Sequence, residues 1–426
     1  MDIITDKQKN GLKGEVVIPA DKSISHRSIM FASLANGISR IKNISYGADC
    51  ISTLNIFKSL GVEIEEIGER ELKIISAGKF SSDKKDLDCG NSGTTMRLCS
   101  GILAGQNFDS VLYGDESLSK RPMKRVITPL SLMGAEITSN DYTAPLYIHG
   151  TNLHGIDYSS PIASAQVKSC VLLAGLNAEG KTSVTEPYVS RNHTELLLRY
   201  MGADINTVGK TVTVSPSKLI PSDITVAGDI SSAAYFIVAA LIIPESDIIV
   251  KNVGLNPTRT GIIDVAKRMG GNIEILSQNV VSGELVGDIR VKYSELKGCE
   301  ISGEDIPRLI DEIPVIALMA TQADGVTVIS DAQDLRKKES DRITTVVNGL
   351  KSLGADISEK PDGFIIEGKR TLTGDVEMEV FHDHRLAMTY YVAGLISQKQ
   401  TLIHGFEWVN ISFPEFQGLF ESVRNN

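Results

Sequence analysis

Six stretches of the chain open with polar residues and continue as apolar runs of helical length. The first opens at Asp21-Lys22-Ser23 and continues to Ala35. A polar residue just before such a run is typical of a helix N-terminus, where its side chain caps backbone N–H groups. We therefore predict six helices that begin at these openings. The apolar runs lie at 29–35, 96–104, 167–176, 233–241, 313–320 and 386–396.

A second pattern recurs out of phase with these runs. An apolar residue and a glycine are followed by a small residue, a polar residue and Ile or Val, as in Met201-Gly202-Ala203-Asp204-Ile205. An amphipathic stretch precedes each copy, so the glycine is interpreted as a helix C-cap that leads into a strand. Ordinary use of glycine after helices, without any repeat, remains the alternative. The five copies contain Gly61, Gly134, Gly202, Gly270 and Gly354.

Together the two patterns predict six copies of a unit with two helices and several strands, about seventy residues long. Short helices packed against strands in repeated units indicate an α/β architecture, most simply with three units in each of two domains. The chain would pass from one domain to the other around Val226-Ala227-Gly228.

Composition supports a folded protein of at least two domains. The chain has 426 residues, of which 42% are apolar and 23% charged, a balance that argues against disorder and coiled coil. A net charge of −10 disfavours non-specific binding to nucleic acid or to anionic membranes. No apolar run has the length of a signal peptide or a membrane span, and the five cysteines form no C-x-x-C pair. We expect a cytoplasmic protein.

Positive charge is nevertheless concentrated near the predicted helix starts. Helix N-termini favour anions, and a cation there strengthens the preference. The substrate should therefore carry phosphates or carboxylates, although each cation alone is also consistent with a solvated surface residue. The basic residues concerned are Lys22, Arg27, Arg97, Arg121, Arg191, Lys338, Arg342 and Arg385.

Two acidic residues are candidates for proton transfer. Asp311 precedes the apolar run at 313–320, and Glu339 lies among Arg336, Lys338 and Arg342. Neighbouring cations would keep both carboxylates ionised and able to accept a proton. Asp311 could equally be an ordinary helix-start residue, and Glu339 a surface ion pair.

Two other motifs lie in the wrong context for the chemistry they suggest. Residues 175–182 match the phosphate-loop pattern G-x-x-x-x-G-K-[ST], but a predicted helix precedes the motif and a predicted strand follows it, the reverse of the required order. His382 and His384 supply two metal ligands without a third at a recognisable spacing. We expect neither nucleotide hydrolysis nor a metal site.

The polar openings and basic residues form motifs that resemble those of the enolpyruvyl transferases, in order and across essentially the whole chain. Within that family they are most similar to the enzymes that act on shikimate 3-phosphate. The motifs are Asp21-Lys22-Ser23-Ile24-Ser25-His26-Arg27, Gly90-Asn91-Ser92-Gly93-Thr94-Thr95-Met96-Arg97, Arg121-Pro122-Met123, Ser164-Ala165-Gln166, Lys338-Glu339-Ser340-Asp341-Arg342 and Asp383-His384-Arg385.

The resemblance implies a fold of two domains, each built from three βαβαββ repeats. Residues 20–227 would form the domain on the shikimate-3-phosphate side. Residues 1–19 and 228–426 would form a discontinuous domain with phosphoenolpyruvate-side and catalytic residues. The implied reaction transfers the enolpyruvyl group of phosphoenolpyruvate to the 5-hydroxyl of shikimate 3-phosphate and releases phosphate, in the shikimate pathway to chorismate and aromatic amino acids.

The resemblance also assigns residues. Asp311, Glu339 and Lys22 would be catalytic, with Asp311 taking the proton of the 5-hydroxyl. Shikimate 3-phosphate would be bound by Lys22, Ser23, Arg27, Ser164, Ala165, Gln166, Ser190, Arg191, Asp311 and Lys338. Phosphoenolpyruvate would be bound by Lys22, Gly93, Arg121, Gln166, Arg342 and Arg385. No cofactor and no metal are implied, and the family is typically monomeric.

Three positions depart from the family pattern. Ile411 stands where many relatives have Lys before the Ser-Phe-Pro triplet, Ala165 replaces a second Ser, and Leu98 replaces a Pro. The alternative within the family, an enzyme that uses a UDP-N-acetylglucosamine acceptor, generally has Lys-Asn at the first motif and a Cys before Arg-Pro, and this chain has neither. A non-catalytic protein with this fold would be expected to lack Lys22, Asp311 or Glu339.

Overall fold

The computed structural model describes residues 1–80 and 85–424. Its helices are α1 (Lys22–Leu34), α2 (Ala48–Ser59), α3 (Gly93–Ala104), α4 (Glu116–Ser119), α5 (Lys124–Leu132), α6 (Ala165–Gly175), α7 (His193–Tyr200), α8 (Ile230–Ile242), α9 (Gly261–Arg268), α10 (Asp305–Leu309), α11 (Ile313–Thr321), α12 (Arg342–Ser352), α13 (His384–Ile396) and α14 (Phe416–Arg424). Short 3₁₀ helices span Gln333–Lys337 and Phe406–Ile411.

The strands alternate with these helices along the chain. They are β1 (Ile3–Thr5), β2 (Lys13–Val17), β3 (Asn36–Lys42), β4 (Glu63–Gly68), β5 (Glu71–Ala77), β6 (Lys85–Asp88), β7 (Ser110–Tyr113), β8 (Glu136–Asn140), β9 (Thr143–His149), β10 (Asp157–Ser159), β11 (Thr182–Thr185), β12 (Ile205–Val208), β13 (Thr211–Val214), β14 (Ile224–Thr225), β15 (Asp247–Gly254), β16 (Asn272–Ile275), β17 (Asn279–Val281), β18 (Glu284–Lys292), β19 (Glu300–Ile301), β20 (Val326–Ile329), β21 (Asp356–Lys360), β22 (Gly363–Glu367), β23 (Val376–Glu379) and β24 (Thr401–His404).

All six predicted apolar helices form, as α1, α3, α6, α8, α11 and α13. Asp21, Ser92, Ser164, Asp229 and Asp383 cap five of them, since each side chain accepts a hydrogen bond from a backbone N–H of the first turn. The polar openings are therefore helix starts, as predicted. α11 follows Glu312, which makes no such side-chain cap, and begins instead with a proline in its first turn.

The five predicted glycine turns are also confirmed. The glycines follow α2, α5, α7, α9 and α12, and each precedes a strand. Their φ angles are +88°, +92°, +85°, +92° and +95°, a left-handed conformation that costs glycine little and other residues more. One local conformation thus recurs five times, as expected for repeats of a single unit.

The chain divides into two compact units. Residues 20–227 and 280–284 form one, which we call the N-terminal unit, and residues 1–19, 228–279 and 285–426 form the other, the C-terminal unit. The segment 280–284 lies at the tip of the β17–β18 hairpin. It belongs with the N-terminal unit because Glu284 contacts His193 at 2.7 Å and Ser282 Oγ accepts a hydrogen bond from the backbone N–H of Thr225 at 2.9 Å.

The described residues of the N-terminal unit form three sheets of the same topology, in the orders β14-β3-β5-β4, β6-β7-β9-β8 and β10-β11-β13-β12. In each, the first two strands are parallel and the other pairs antiparallel. This is the βαβαββ pattern, with one helix crossing between the parallel strands. In the first sheet the initial position is filled by β14, which follows the other strands of these three sheets in the sequence.

The C-terminal unit repeats the pattern with variations. Its sheets are β2-β15-β18-β16, in which β17 also pairs with β18, then β19-β20-β22-β21, and β23-β24-β1. The sixth repeat differs from the other five because its sheet has three strands among the described residues, and its last strand is β1 from the start of the chain, antiparallel to β24. The α/β fold of repeated modules is confirmed, with the N-terminal segment joined to the C-terminal unit.

Buried helices form the centre of each unit. Every residue of α8 and α11 is buried, and both helices contact α13. In the N-terminal unit α3 and α6 pack so closely that a Cβ on Gly101 would lie 2.1 Å from the carbonyl oxygen of Cys170. These central helices fix the positions of their own N-termini, where the polar residues lie. No helix within residues 1–80 and 85–424 is long and apolar enough to cross a membrane.

Candidate active site

Three capped helix starts in the N-terminal unit carry the predicted anion ligands. Lys22, Gly93 and Ala165 are the first residues of α1, α3 and α6, respectively. The backbone N–H groups of a first helical turn have no partner within the helix, and the helix dipole adds partial positive charge. Ala165, which has no hydroxyl, therefore offers its backbone N–H at this position. We use the name anion group for the polar residues at these three starts, which are Lys22, Ser23 and Arg27 of α1, Thr94 and Arg97 of α3, and Ser164 and Gln166 at α6.

Lys22 is held by a carboxylate from the neighbouring helix. Its Nζ lies 2.9 Å from Oδ2 of Asp49 in α2, and the two side chains are 20% and 13% exposed. His26, one turn further along α1, is fully buried, and desolvation lowers its pKa to about 3. The imidazole is therefore neutral near pH 7, so the positive charge of this helix comes from Lys22 and Arg27.

Gly93 is surrounded by side chains from three segments. Arg97 NH1 donates to Gln166 Oε1 at 2.7 Å, and Gln166 Nε2 donates to Thr94 Oγ1 at 3.0 Å. A Cβ on Gly93 would lie 2.9 Å from Arg97 NH1 and 3.5 Å from Arg121 NH1. Three of the residues predicted to bind phosphoenolpyruvate, Gly93, Arg121 and Gln166, are thus gathered at the start of α3.

Arg121 is oriented by Asn91, whose Oδ1 accepts a hydrogen bond from NH2 at 2.8 Å. Asn91 Nδ2 donates in turn to Asp115 Oδ2 at 2.7 Å. Asn91 lies within one of the sequence motifs, but the motif alone does not indicate what this residue does. This amide, together with Ser117 Oγ at 3.4 Å from the same nitrogen, fixes the direction of the guanidinium.

Arg27 is buried, with 3% of its surface exposed, and is bound mainly to the protein. Nε donates to Thr194 Oγ1 at 2.7 Å, NH1 to the carbonyl of Ser23 at 2.9 Å, and NH2 to Ser169 Oγ at 2.9 Å. Burial lowers its pKa to about 10, still well above neutral pH. Arg27 therefore contributes positive charge to the anion group and joins α1 to α6 and α7.

Ser164 and Ser190 are linked through one carboxylate. The backbone N–H of Ser164 donates to Glu186 Oε1 at 2.8 Å, and the hydroxyl of Ser190 donates to Glu186 Oε2 at 2.8 Å. Arg191, the next residue, lies close enough to Arg27 for its charge to influence the pKa of that group. The predicted ligands of shikimate 3-phosphate in this unit therefore lie on the starts of α1 and α6 and on the segment before α7.

A second group of predicted residues lies in the C-terminal unit around Asp311. Lys338 Nζ lies 3.2 Å from Oδ1 of this carboxylate, Arg342 NH1 lies 3.5 Å from Oδ1, and Arg385 NH2 lies 3.9 Å from Oδ2. The Asp311 side chain is 14% exposed, so solvent reaches it. We call Asp311, Lys338, Glu339, Arg342 and Arg385 the Asp311 group. It places the partly exposed carboxylate of Asp311 near three cations.

Arg342 is the buried centre of this group. Its side chain is 1% exposed and donates to both oxygens of Asp383, at 2.8 and 3.1 Å, and to Glu339 Oε2 at 2.6 Å. Burial alone would lower the pKa of Arg342, but the charges of Asp383 and Glu339 outweigh it and raise the pKa. The same pairing lowers the pKa of Asp383 despite the opposing effect of burial. Both groups are therefore charged.

Asp383 also positions Arg385. Its Oδ1 accepts a hydrogen bond from the backbone N–H of Arg385 at 2.9 Å, which caps α13. Burial would lower the pKa of Arg385, but nearby carboxylates, with Asp311 the strongest, raise it. Asp383 lies in one of the sequence motifs, but the motif alone does not indicate that it positions two arginines. Asp49 carried no signal at all, because it lies 27 positions from its partner Lys22.

The other candidate chemistry has a different structural context. The phosphate-loop match at residues 175–182 follows α6 and leads into β11, so the helix precedes the motif and the strand follows it, as predicted. His382 packs its ring on Trp408, with centroids 4.5 Å apart. Among the described residues, no three His, Cys, Asp or Glu side chains group as a metal site would require.

Two of the positions that depart from the family pattern are at least partly buried. Ile411 ends a 3₁₀ helix and is half-buried, and Leu98 is buried in α3.

Known proteins resemble this chain over nearly its whole length. The family model of EPSP synthase (3-phosphoshikimate 1-carboxyvinyltransferase) matches residues 7–419. A 3-phosphoshikimate 1-carboxyvinyltransferase of Thermoanaerobacter sp. (strain X514) is 53% identical over 420 residues, which cover 98% of this chain and 99% of the relative. One from Brevibacillus brevis is 50% identical over 425 residues, with 98% and 99% covered.

Solved structures agree with these relatives. An EPSP synthase from Acinetobacter baumannii superposes with a TM-score of 0.89 at 43% identity, covering 99% of this chain and 98% of that one. An enolpyruvyl transferase from Streptomyces tendae superposes with a TM-score of 0.81 at 16% identity, which shows a shared fold. The chain therefore belongs to the EPSP synthase family, the 3-phosphoshikimate 1-carboxyvinyltransferases.

Proposed function

We propose that the anion group and the Asp311 group carry out the reaction of this family. The enolpyruvyl group of phosphoenolpyruvate is transferred to the 5-hydroxyl of shikimate 3-phosphate, and inorganic phosphate is released. The observation that carries the proposal is the Asp311 carboxylate, partly exposed and 3.2 to 3.9 Å from three cations. Opposite charges at this distance favour the ionised form of a carboxylate, which is the form that a base requires, and the cations are themselves suited to anionic substrates.

The two substrates are assigned to different residues. Shikimate 3-phosphate is held by Lys22, Ser23, Arg27, Ser164, Ala165, Gln166, Ser190 and Arg191, with Asp311 and Lys338 at the reacting end. Phosphoenolpyruvate is held by Lys22, Gly93, Arg121, Gln166, Arg342 and Arg385. The capped helix starts and the gathering of Arg97, Arg121 and Gln166 around Gly93 support this division, since both ligands are anions.

The reaction has an addition step and an elimination step. A proton is added to the methylene carbon of phosphoenolpyruvate, the neighbouring carbon becomes cationic, and the 5-oxygen attacks it as Asp311 takes the hydroxyl proton. In the elimination step the new methyl group loses a proton and the C–O bond to phosphate breaks, which restores the double bond. Glu339 and Lys22 deliver and remove the proton at carbon. The surrounding Lys and Arg side chains offset the charge on the departing phosphate.

Phosphate release tests the proposal directly. Purified protein is incubated with phosphoenolpyruvate in the presence and absence of shikimate 3-phosphate, and inorganic phosphate is measured. Release that requires both substrates is expected. Release with UDP-N-acetylglucosamine in place of shikimate 3-phosphate would overturn the acceptor assignment. ATP turnover that is lost in Lys181→Ala would point instead to the 175–182 motif.

We also propose that the protein acts as a monomer in the cytoplasm. The family resemblance and the cysteine usage support this: four of the five cysteines are buried and the fifth is half-buried, and all five are free thiols. Light scattering during size-exclusion chromatography should give the mass of a single chain, 46.1 kDa.

Space beside Gly93 should decide the affinity for phosphoenolpyruvate. Gly93→Ala places a Cβ 2.9 Å from Arg97 NH1, so that this guanidinium must shift and disturb its hydrogen bond to Gln166. We expect the KM for phosphoenolpyruvate to rise by about tenfold, as for about 1.4 kcal/mol of local overpacking, with little change in the KM for shikimate 3-phosphate. Steady-state kinetics with each substrate varied in turn provide the measurement.

Gly418→Ala is the matched control. Gly418 lies in α14, and a Cβ there would meet no heavy atom within 4 Å. This variant should keep wild-type kinetics. An unchanged KM for phosphoenolpyruvate in Gly93→Ala would contradict the placement of that substrate beside Gly93.

A further inference from the structure

A buried cluster of charged residues contacts the anion group at Ser164. Lys168 of α6, Glu186 after β11 and Glu195 of α7 are 2 to 3% exposed, and Lys168 Nζ lies 2.8 Å from Glu186 Oε2 and 2.8 Å from Glu195 Oε1. We call these three residues the Lys168 cluster. None of them was singled out from the sequence, and none binds a substrate or moves a proton in the proposed reaction.

The ammonium group of Lys168 has a full set of acceptors. Besides the two carboxylates, Nζ donates to the carbonyl oxygen of Ser190 at 3.2 Å. An ammonium has three N–H donors and no acceptor, so these three contacts account for all of its hydrogen-bonding capacity. Lys168 is therefore committed to holding other protein groups, which is what a buried cation needs in order to be tolerated.

Glu186 connects the cluster to two predicted ligands of shikimate 3-phosphate. Its Oε1 accepts from the backbone N–H of Ser164 at 2.8 Å, and its Oε2 accepts from the hydroxyl and the backbone N–H of Ser190 at 2.8 and 3.3 Å. Ser164 caps α6, and Ser190 lies in the segment before α7. One carboxylate thus sets the distance between two segments that are not adjacent in sequence.

Helices α6 and α7, which the pair of Lys168 and Glu195 connects, are also joined by two neutral side chains. Ser169 Oγ and Thr194 Oγ1 lie 2.6 Å apart, each next in sequence to a member of the cluster, and both accept hydrogen bonds from Arg27. A displacement of Lys168 or Glu195 would therefore also move the acceptors that orient Arg27. The cluster and Arg27 together hold the starts of α1, α6 and α7 in one arrangement.

We propose that Glu186 is a positioning residue for shikimate 3-phosphate, and that Lys168 holds its carboxylate in place. The inference rests on the proposed function, because it assumes that Ser164 and Ser190 contact that substrate. Glu186 acts through these two serines and takes no part in the chemical step. No member of the cluster is among the side chains placed around Gly93, so we expect a large effect on shikimate 3-phosphate and only a small one, through Gln166, on phosphoenolpyruvate.

The test is Glu186→Gln, which keeps the shape of the side chain and removes its charge. The amide has one accepting oxygen instead of two, so either the Ser164 N–H or the Ser190 and Lys168 donors lose their acceptor, whichever way the amide turns. We expect the KM for shikimate 3-phosphate to rise by about tenfold or more while the KM for phosphoenolpyruvate and kcat change by less than about threefold. Calorimetric titration of shikimate 3-phosphate alone should show the same loss of affinity. Glu65→Gln is the matched control, since Glu65 is paired with Lys73 at 2.9 Å on the surface of the same unit.

A pair of further variants keeps the test decisive if Glu186→Gln folds poorly. Lys168→Met leaves two buried carboxylates without their cation and should raise the KM for shikimate 3-phosphate. Lys168→Met combined with Glu195→Gln removes one of those carboxylates and leaves Glu186 with Ser164 and Ser190, so it should restore much of the affinity. A purely structural role would lower the melting temperature and raise both KM values together, without rescue by the second change. That result, or an unchanged KM for shikimate 3-phosphate in Glu186→Gln, overturns the proposal, whereas wild-type protein that releases no phosphate would refute the proposed function itself.

Discussion

Asp311→Asn should lower kcat for phosphate release by about a thousandfold, within the range found when a general base is removed. The amide keeps the size of the side chain but cannot take the proton of the attacking hydroxyl. Lys338, Arg342 and Arg385 remain in place, so both anionic substrates should still bind. We therefore expect the KM values to stay within a few-fold of wild type. Rapid-quench and steady-state measurements of phosphate release with both substrates saturating provide the comparison.

The matched control for this prediction is Asp264→Asn. Asp264 lies in the same unit and also pairs with an arginine, Arg308, at 2.5 Å, but it is half exposed and belongs to neither group of predicted site residues. It should keep wild-type kcat. If Asp311→Asn retained activity within tenfold of wild type, Asp311 would not be the base, and Glu339 would be the next carboxylate to replace.

Asp383→Asn should cause a large loss of stability. Asp383 is fully buried, and its carboxylate accepts two hydrogen bonds from Arg342, one from Ser340 Oγ at 3.0 Å and the cap from the Arg385 backbone. Removing its charge leaves the buried Arg342 with Glu339 at 2.6 Å and the more distant Asp311 at 3.5 Å as its remaining carboxylate partners. Breaking one side of a buried ion pair costs about 3–5 kcal/mol. Urea denaturation followed by circular dichroism should show the transition at a lower concentration.

The pH dependence of this effect follows from the direction of the pKa shift. The folded-state pKa of Asp383 lies below its ordinary value because the effect of Arg342 exceeds that of burial. A carboxylate of this kind stabilises the fold above its unfolded-state pKa of about 3.9 and loses that contribution as the pH falls through the folded-state value. The difference between wild type and Asp383→Asn should therefore be complete near pH 7 and shrink only in strongly acidic solution.

Asp375→Asn provides the comparison for stability. Asp375 pairs with Lys399 at 2.8 Å, but both side chains are about 70% exposed, so the pair is screened by water. Its loss should leave the urea midpoint unchanged. A similar small effect in Asp383→Asn would show that Glu339 and solvent compensate Arg342, against the burial seen in the structure.

The repeats could be predicted from the sequence because their signals are local. The turn at Gly202 needs a positive φ, and the start of α1 needs a capping side chain, which Asp21 supplies. Each requirement is visible in the residue that meets it. The sheet pairings are different: β1 is three residues long, and its partner β24 lies near the other end of the chain. No local pattern marks such a pair, because packing in the folded protein selects it.

The candidate site shows the same difference between local signals and contacts made by distant segments. The basic residues proposed to contact anions were predictable because Lys and Arg at helix starts, in family motifs, are conspicuous in an acidic protein. The carboxylates that orient them were not. Asp49 and Glu186 resemble ordinary surface acids in the sequence, and their partners lie on other elements, 27 positions away for Lys22 and 18 for Lys168. The cations of the site could be predicted from the sequence, whereas the groups that position them required the structure.

The strand order has a consequence for synthesis on the ribosome. Chains emerge N-terminus first and tend to fold domain by domain. β14 completes the first sheet of the N-terminal unit once residue 225 has emerged, so the described strands of that unit can pair while the rest is still being made. β2 must wait for β15 at 247–254, and β1 for β24 at 401–404. Until then both present unpaired edges that invite pairing with other chains. The segment that contains β1 and β2 is thus synthesised well before its partner strands, and a chaperone that holds this segment would protect the chain during that interval.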